Sequence, residues 1–428
     1  MSFLFNTVQG IINLGAAVFL PIALCVLGVI FKMNFWKAMK SGLLVGIGFT
    51  GLNAVVGILI NTITPVTDYY AATGSGFTIV DAGWPTLAGA AWATPFAAII
   101  IPVCLVLNIL LIRVKFTRTL NVDIWDYWHF MFSGAMVYYL LISHGVNAGL
   151  AYIIGLVISL GLSIFALKIA DIMGPKWRDY FGLEGTSAPH QAGQTIWLIA
   201  LVVEKIVEKI PGINKINISM DTFAKKLGGF GDSTILGFVA GVLLALLTRQ
   251  SFPVILSTGV GIASSMVLMP RMVSLLMEGI TPIGKAATSF IKSKMGEDTE
   301  IEMGMDIALG LGDSTAITAS IIMIPITVGI ALVFPGNKFF PLGTLPTLVY
   351  YTAVCALAAN GDLFKTVITT SIYMVYLVFA MNFLAVPATA VIAASKFVEV
   401  GNNLMVGTSL EAIPNLITGI IAKILGWF

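Results

Sequence analysis

Long apolar stretches separated by short polar segments fill most of the chain. Ten of them approach the length that an α-helix needs to cross a bilayer, at about residues 11–31, 41–62, 93–112, 130–143, 149–169, 234–248, 252–277, 315–334, 345–359 and 364–386. The tail at 410–428 predicts a further spanning or interfacial helix. A soluble protein does not contain so many long uncharged stretches. The pattern therefore predicts an all-α polytopic membrane protein with about 10–12 transmembrane helices.

The pattern of the first half recurs in the second. Ile63-Thr64-Pro65 returns as Ile280-Thr281-Pro282, and Gly42 is separated from Gly259 by the same distance along the chain. Two more matches follow at nearly the same spacing: Ile101-Pro102 with Ile324-Pro325, and Gly185-Thr186-Ser187 with Gly407-Thr408-Ser409. Each copy contains an odd number of predicted crossings, so the two copies are expected to be inverted repeats. Such repeats are typical of solute carriers whose binding site lies at the repeat interface.

Composition and charge agree with a membrane protein and predict its orientation. The mean hydropathy is +0.97, and only 10% of the residues are charged. Most of the 23 basic residues lie in alternate connections, which predicts that those connections are cytoplasmic and that the N-terminus is outside. This count requires residues 180–204 to enter and leave on one side, as a re-entrant hairpin. The net charge of +2 follows from the asymmetry and gives no indication of nucleic-acid binding.

Two further features concern processing and cysteine chemistry. Residues 1–10 lack the basic start of a signal peptide, so the first helix is expected to be retained. Cys25, Cys104 and Cys355 all lie inside apolar stretches without disulfide or metal-ligand spacing. They are predicted to pack as small hydrophobic residues, and the sequence predicts neither a metal site nor a cofactor.

Polar residues within so apolar a chain indicate function, because lipid burial is costly for them. The first cluster, residues 81–85, contains Trp84, which could stack on a sugar ring or anchor the helix at the interface. The second cluster, residues 121–129, ends at His129, for which a structural role and a ligand contact are equally favoured.

Two more clusters favour function more strongly. Residues 182–191 place Glu184, His190 and Gln191 in the predicted hairpin, where broken backbone also frees polar groups. The tetrapeptide Gly-Asp-Ser-Thr occurs at 231–234 and at 312–315. The first copy is interpreted as a helix N-cap. The second, with Asp313 and Ser314, is expected to reach the midplane site by repeat symmetry.

The residue types in these clusters indicate the class of ligand. A sugar or polyol is neutral and rich in hydroxyls, so it requires carboxylates, amides and imidazoles with an aromatic face. The predicted substrate-binding residues are Trp84, His129, Glu184, His190, Gln191, Asp313 and Ser314. Glu184 or Asp313 is the candidate carboxylate to accept a proton from a ligand hydroxyl.

Six motifs carry a resemblance to a known family: VDAGWP at 80–85, NVDIWDYWH at 121–129, GLEGTSAPH at 182–190, EKIPGINKI at 208–216, MPRMVSLLMEGITPI at 269–283 and LGLGDSTA at 309–316. Across nearly its whole length the chain resembles the membrane-integral IIC component of a sugar phosphotransferase system (PTS). The resemblance is to the galactitol-type branch of the ascorbate–galactitol group. Asp313 stands where some galactitol-type relatives are expected to have histidine.

The resemblance implies an architecture as well as a function. It implies a homodimer in the bacterial inner membrane, surrounded by lipid, that moves by an elevator mechanism. A static V-shaped scaffold would comprise residues 1–79 and 228–302, and a mobile core residues 80–227 and 303–428.

It also implies the partners and the division of chemistry. A separate IIB protein would phosphorylate the sugar from a phosphocysteine, supplied in turn by IIA, HPr and enzyme I. This chain would then be the transport component of a multi-protein phosphotransferase and would hold no catalytic residue that donates the phosphoryl group. The absence of any cysteine outside the apolar stretches agrees with that division.

Two alternatives are weighed against this interpretation. An ion-coupled inverted-repeat transporter of a small polar solute would use Asp313 and Glu184 to carry Na⁺ or H⁺. It would leave its solute unphosphorylated. A membrane enzyme acting on lipid would need a metal or phosphate constellation at a membrane face, and no such spacing of His and Asp is found.

Overall fold

The computed structural model describes residues 16–73, 77–92, 94–121, 123, 126–219, 233–295, 300–341, 343–395 and 404–428. Helices dominate: α1 (Ala16–Ile30), α2 (Phe35–Thr73), α3 (Trp84–Trp92), α4 (Ala97–Arg113), α5 (Tyr127–Ser143), α6 (Ala148–Phe181), α7 (Gln191–Val207), α8 (Ser233–Leu247), α9 (Phe252–Met295), α10 (Ser314–Val333), α11 (Leu348–Ala358), α12 (Leu363–Ser395) and α13 (Ile413–Ile424). The strands have two or three residues each: β1 (Ile79–Val80), β2 (Thr119–Asn121), β3 (Thr186–Ser187), β4 (Glu302–Gly304), β5 (Phe339–Phe340) and β6 (Met405–Val406).

The predicted apolar stretches coincide with helices wherever the structure describes them. Among the described residues, α6, α10 and α12 are long and apolar enough to cross a membrane, with mean hydropathies of 2.4, 2.3 and 2.1. The stretches at 93–112, 130–143, 234–248 and 345–359 form apolar helices of 17 residues or fewer. The chain is therefore a mostly helical protein with helices able to span a membrane.

Four helices, α1, α2, α8 and α9, pack mainly against one another. Helices α2 and α9 contain 39 and 44 residues, which at about 1.5 Å per residue makes both much longer than a hydrocarbon layer of about 30 Å. They approach closely where Gly279 of α9 lies against the backbone of Ser41 in α2, because a methyl group on Gly279 would come 2.5 Å from the Ser41 carbonyl oxygen. Small residues at helix contacts are typical of membrane bundles.

The remaining elements surround two three-stranded parallel sheets. In one sheet β1 is central, with Ile79 aligned to Phe339 of β5 and Met405 of β6. In the other β4 is central, with Met303 aligned to Leu120 of β2 and Thr186 of β3. Each sheet therefore takes its central strand from one half of the sequence and its outer strands from the other half.

The β2–β4–β3 sheet positions several polar side chains together. Its strands are parallel, so the residues that follow their carboxyl ends emerge at the same edge. Gly304 permits this close packing, because a methyl group there would come 2.8 Å from the Pro189 ring and 2.9 Å from the Asn121 backbone. Asp123, His190 and Asp306 all follow this edge.

Within the predicted hairpin 180–204, helix α6 ends at Phe181 and α7 begins at Gln191. Gly182 ends α6 in the left-handed conformation, with φ at 68°. The intervening backbone is not helical, and the side-chain amide of Gln194 holds it by donating to the Ala166 and Ala188 carbonyls at 2.7 and 3.1 Å. A second short helix after irregular backbone, α13, follows β6 in the other half of the chain.

Candidate functional site

Two buried histidines meet at the start of two helices. His190 occupies the N-cap of α7, and its Nδ1 accepts a hydrogen bond from the Gly193 amide at 3.0 Å. The proton of a neutral His190 ring must therefore be on Nε2, which lies 2.9 Å from Nε2 of His129. His129, in the first turn of α5, then accepts at Nε2 and carries its own proton on Nδ1. The ring of Trp128 stacks on His129 with 3.7 Å between the centroids.

Asp306 lies beside this histidine pair. Its Oδ2 is 4.0 Å from Nε2 of His190, while its Oδ1 accepts from the Ala308 amide at 2.8 Å and caps a short 3₁₀ helix, Ile307–Gly312. The Asp306 amide donates to Oδ2 of Asp123 at 3.2 Å. The side chain of Asp306 is 18% exposed, so it is the accessible acidic group of the cluster.

Asp126 is a buried carboxylate of the cluster whose oxygens lack hydrogen-bond partners. It stands at the N-cap of α5 and is fully buried, yet its side chain does not cap the helix. Neither carboxylate oxygen makes a hydrogen bond of normal geometry, although Asn121 is close enough to interact with it. One ligand atom from each of Asp126, His190 and Asp306 lies within 4.8 Å of the others, so this trio is also able to hold a cation.

Gln191 connects the histidine pair to the second half of the chain. Its Nε2 donates to the Ser133 hydroxyl at 2.9 Å, and Ser133 donates to Oδ1 of Asn415 at 2.7 Å. Close by, the Ile413 amide donates to Oγ1 of Thr195 at 3.2 Å. The amino-terminal ends of α7 and α13 therefore meet next to α5, and helix amino-terminal ends carry partial positive charge. Oε1 of Gln191 is buried without a hydrogen-bond partner.

A close contact explains why the histidines and Asp306 are neighbours. Gly193, in the first turn of α7, faces Ile307, the residue after Asp306. A methyl group on Gly193 would come 2.6 Å from the Ile307 side chain. A side chain at this position would force the Ile307 side chain to move, so Gly193 favours the close packing of α7 on the 3₁₀ helix that brings His190 near Asp306.

The other predicted site residues lie outside these contacts. Trp84 begins α3, is half-buried, and packs against the hydrophobic core; α3 itself packs on α5, the helix of His129. Glu184 is exposed in the turn before β3. Asp313 caps α10 by accepting from the Ala316 amide at 2.8 Å, and it interacts with the Tyr180 hydroxyl. Ser314 is the half-buried first residue of α10.

The second Gly-Asp-Ser-Thr copy is thus a helix cap in the structure. Of the first copy, only Ser233 and Thr234 belong to the described residues, where Ser233 begins α8. The cap predicted at Asp232 lies outside them.

Sequence reasoning did not single out Asp126, Asp306, Ser133 or Asn415. Asp306 gave a usable signal, because it is an isolated carboxylate in the apolar segment 303–311. It also follows β4, as Asp81 follows β1. Asp81 accepts from the Thr344 amide and hydroxyl at 2.7 and 2.6 Å, so the two central strands both lead into buried carboxylates.

A helical bundle with buried histidines, carboxylates and an amide at the meeting point of two short helices is suited to a neutral hydroxylated solute. The chain belongs to the family described as the PTS system sugar-specific permease component, EIIC-GAT, which matches residues 10–411. It is an integral-membrane sugar or polyol permease of a phosphotransferase system, and it works with PTS partner proteins such as IIB.

Individual relatives agree with the family. The chain is 36% identical over 365 residues to the galactitol-specific EIIC component of a PTS system from Escherichia coli strain K12. The protein of the same description from Escherichia coli O157:H7 matches equally. The match covers 85% of this chain and 79% of each relative. The predicted family is confirmed, and the ion-coupled alternative is not favoured.

Proposed function

We propose that this permease carries galactitol or a closely related polyol and presents it to a phosphorylated IIB protein. The histidine pair with Asp306 and Gln191 supports the proposal most directly. These groups offer both donors and acceptors, as a chain of hydroxyls requires, and they are held by a 2.9 Å contact between the rings. The galactitol specificity of the two relatives supports a polyol.

The proposed substrate-binding residues fall into those inside the histidine cluster and those outside it. His129, His190 and Gln191 form the polar wall, and Asp306 takes the central carboxylate role for which Asp313 was considered from the sequence. Trp84 remains the proposed stacking face, since α3 packs on the helix of His129. Glu184, Asp313 and Ser314 would have to contact the substrate from outside the histidine cluster.

Asp306 is also the proposed base. In the transfer, a substrate hydroxyl oxygen forms a bond to phosphorus as the sulfur–phosphorus bond of the IIB phosphocysteine breaks. The hydroxyl proton passes to the Asp306 carboxylate, which is close to the histidines and partly exposed. The sulfur leaves as a thiolate on IIB.

We further propose that the two halves are inverted repeats. The exchange of strands supports this, because each central strand is flanked by strands of the other half. The helices α1 and α2 begin the first half as α8 and α9 begin the second. Phe35 and Phe252, which start the two long helices, have the same spacing along the chain as Gly42 and Gly259.

The same arrangement supports a scaffold, a core and a dimer. Helices α1, α2, α8 and α9 pack as a group and would form the static V-shaped scaffold of a homodimer. The elements that carry the histidine cluster would form the core that moves in an elevator mechanism. The segments 180–204 and 404–424 would be the re-entrant hairpins, and the N-terminus would be outside.

The dependence on IIB can be tested with a cysteine-free protein. Cys104 and Cys355 are buried and Cys25 is half-buried, so no cysteine in this chain is expected to accept the phosphoryl group. A variant with all three changed to alanine, reconstituted in vesicles, should form polyol phosphate only when phosphorylated IIB is added. Phosphate transfer that disappears in the cysteine-free protein, while polyol binding persists, would contradict the proposal.

A further inference from the structure

A cavity of about 1090 Å³, which none of the histidine-cluster residues lines, lies between the start of α2 and the second half of α9. Its polar lining comprises Asn34, Lys37, Ser274, Glu278, Thr281 and Lys285. Asn34 is committed to the helix, because its Oδ1 accepts from the Trp36 amide at 3.1 Å. The other polar groups lie on the exposed surface of the two helices.

The charges of this pocket favour an anion. Among the described residues, no ion pair within 4.0 Å involves Lys37, Lys285 or Glu278. The pocket therefore presents two ammonium groups against one carboxylate. Compact phosphate groups bind lysine ammonium groups well, and serine and threonine hydroxyls can donate to the remaining oxygens.

The surroundings of the pocket favour a lipid as the carrier of that anion. Phe35 and Trp36, at the start of α2, are 52% and 68% exposed, and Val29 and Ile30, at the end of α1, are 45% and 54% exposed. Exposed aromatic residues beside lysines are typical of the level of the lipid headgroups. An occupant that contacts both the lysines and this apolar surface needs a charged head and hydrocarbon chains.

The other half of the chain provides an internal comparison. At the repeat spacing that relates Phe35 to Phe252, Lys37 corresponds to Val254 and Lys285 to Asp68. At that end of the helices, the side chain of Gln250 donates to the Pro65 carbonyl at 2.9 Å. Neither lysine of the pocket therefore has a basic counterpart at the repeat spacing. Anionic lipids and basic residues share the cytoplasmic leaflet, which agrees with a pocket in one leaflet.

We propose that this pocket binds the phosphodiester headgroup of an anionic phospholipid. Lys37 and Lys285 hold the phosphate from opposite helices, the Ser274 hydroxyl donates a hydrogen bond to it, and the acyl chains lie along Phe35 and Trp36. Glu278 limits the affinity by repelling the phosphate. The lipid would thereby fasten α2 to α9 without taking part in sugar binding.

The test uses the purified full-length protein in non-ionic detergent and counts retained phosphatidylglycerol by native mass spectrometry. Changing both lysines to glutamine should weaken phosphatidylglycerol binding roughly 30-fold, at about fivefold for each lysine near the membrane surface. The matched control Lys40→Gln removes a charge from the same helix outside the pocket and should leave binding at this pocket within about twofold. Glu278→Gln should strengthen it.

The lipid-binding results of the variants either support or contradict the proposed headgroup site. The opposite effects of the lysine and glutamate variants distinguish a specific pocket from loss of folding. Equal retention of phosphatidylcholine, or unchanged phosphatidylglycerol binding in the double lysine variant, would overturn the proposal. Displacement of the lipid by millimolar inorganic phosphate would also overturn it, because the pocket would then be a simple anion site.

Discussion

Asp306 and Asp313 stand at the two ends of the same 3₁₀ helix, Ile307–Gly312. At a rise of about 2.0 Å per residue, the seven residue steps from Asp306 to Asp313 separate them by about 14 Å, so one hydroxyl group cannot contact both. Asp306 is beside His190, whereas Asp313 is committed to the Ala316 amide and Tyr180. At the scale of single residues, Asp306 and Asp313 are therefore two separate candidates for the carboxylate that contacts the substrate.

Conservative substitutions separate the two carboxylates. Asp306→Asn and His190→Ala should each weaken polyol binding about 5- to 150-fold, because a lost buried hydrogen bond costs about 1–3 kcal/mol. Asp313→Asn should change the affinity little, since asparagine caps a helix as well as aspartate does. Calorimetric titration of the purified protein would measure all three. Loss of affinity in Asp313→Asn, with Asp306→Asn unaffected, would return the substrate contact to Asp313.

The hydrogen bonds of the two histidine rings decide which histidine substitution tests substrate binding more directly. Since Nδ1 of His190 accepts the Gly193 amide, glutamine or alanine at this position also removes a cap of α7. His129 makes no such backbone contact through its ring nitrogens in the described structure; its Nε2 meets His190. His129→Gln is therefore the cleaner probe of substrate binding, and it serves as the control for helix damage in His190→Ala.

At the scale of elements, an ion pair holds the central strand of the second sheet. Nη1 of Arg178, at the end of α6, lies 2.6 Å from Oε1 of Glu302, the first residue of β4. Arg118 lies 3.9 Å from the same oxygen, and Glu302 is 6% exposed. Because β4 leads directly to Asp306, this pair helps to position the carboxylate of the site.

Removing Arg178 should destabilise the protein. Arg178→Met would leave a buried carboxylate with only the longer Arg118 contact, and we expect a loss of about 1–3 kcal/mol. The melting temperature in detergent, followed by tryptophan fluorescence, would measure it. The double variant Arg178→Met/Glu302→Gln should recover most of the loss, since no unpaired charge stays buried. A double variant less stable than the single variant would show that the pair is not the cause.

The helices were predictable from the sequence, and the strands were not. Where the structure describes them, the long apolar stretches match helices because hydrophobicity is the main constraint in a bilayer. Strands of two or three residues are too short to show an alternating pattern. Their partners also lie far along the chain, as Ile79 pairs with Met405.

Part of the candidate site could be read from local sequence, and the rest depends on how distant strands pair. His190 and Gln191 stand in a polar segment of broken backbone, which the sequence displays directly. Asp306 becomes recognisable only when β4 is placed beside β2 and β3. By motif spacing, Asp313 is the repeat equivalent of the segment after Trp84. By position after the central strands of the two sheets, Asp306 is instead the equivalent of Asp81.

At the scale of the whole molecule, the strand exchange ties the two halves into one unit. Neither sheet can form from one half alone, because each central strand needs two partners from the other half. The histidine cluster depends on the same exchange, since His129 and His190 come from the first half and Asp306 and Asn415 from the second. The site is therefore expected to be lost, rather than halved, when the halves are expressed separately.

The orientation of the halves is the remaining prediction at this scale. Lys215 and Lys338 are exposed and belong to connections predicted on opposite sides of the membrane. In a background with Cys25, Cys104 and Cys355 changed to alanine, a cysteine at position 338 should react with a membrane-impermeant maleimide in intact cells. A cysteine at 215 should react only after the cells are opened, which also proves that it is accessible. Labelling of both positions in intact cells would place them on one side, and two inverted copies could not be arranged that way.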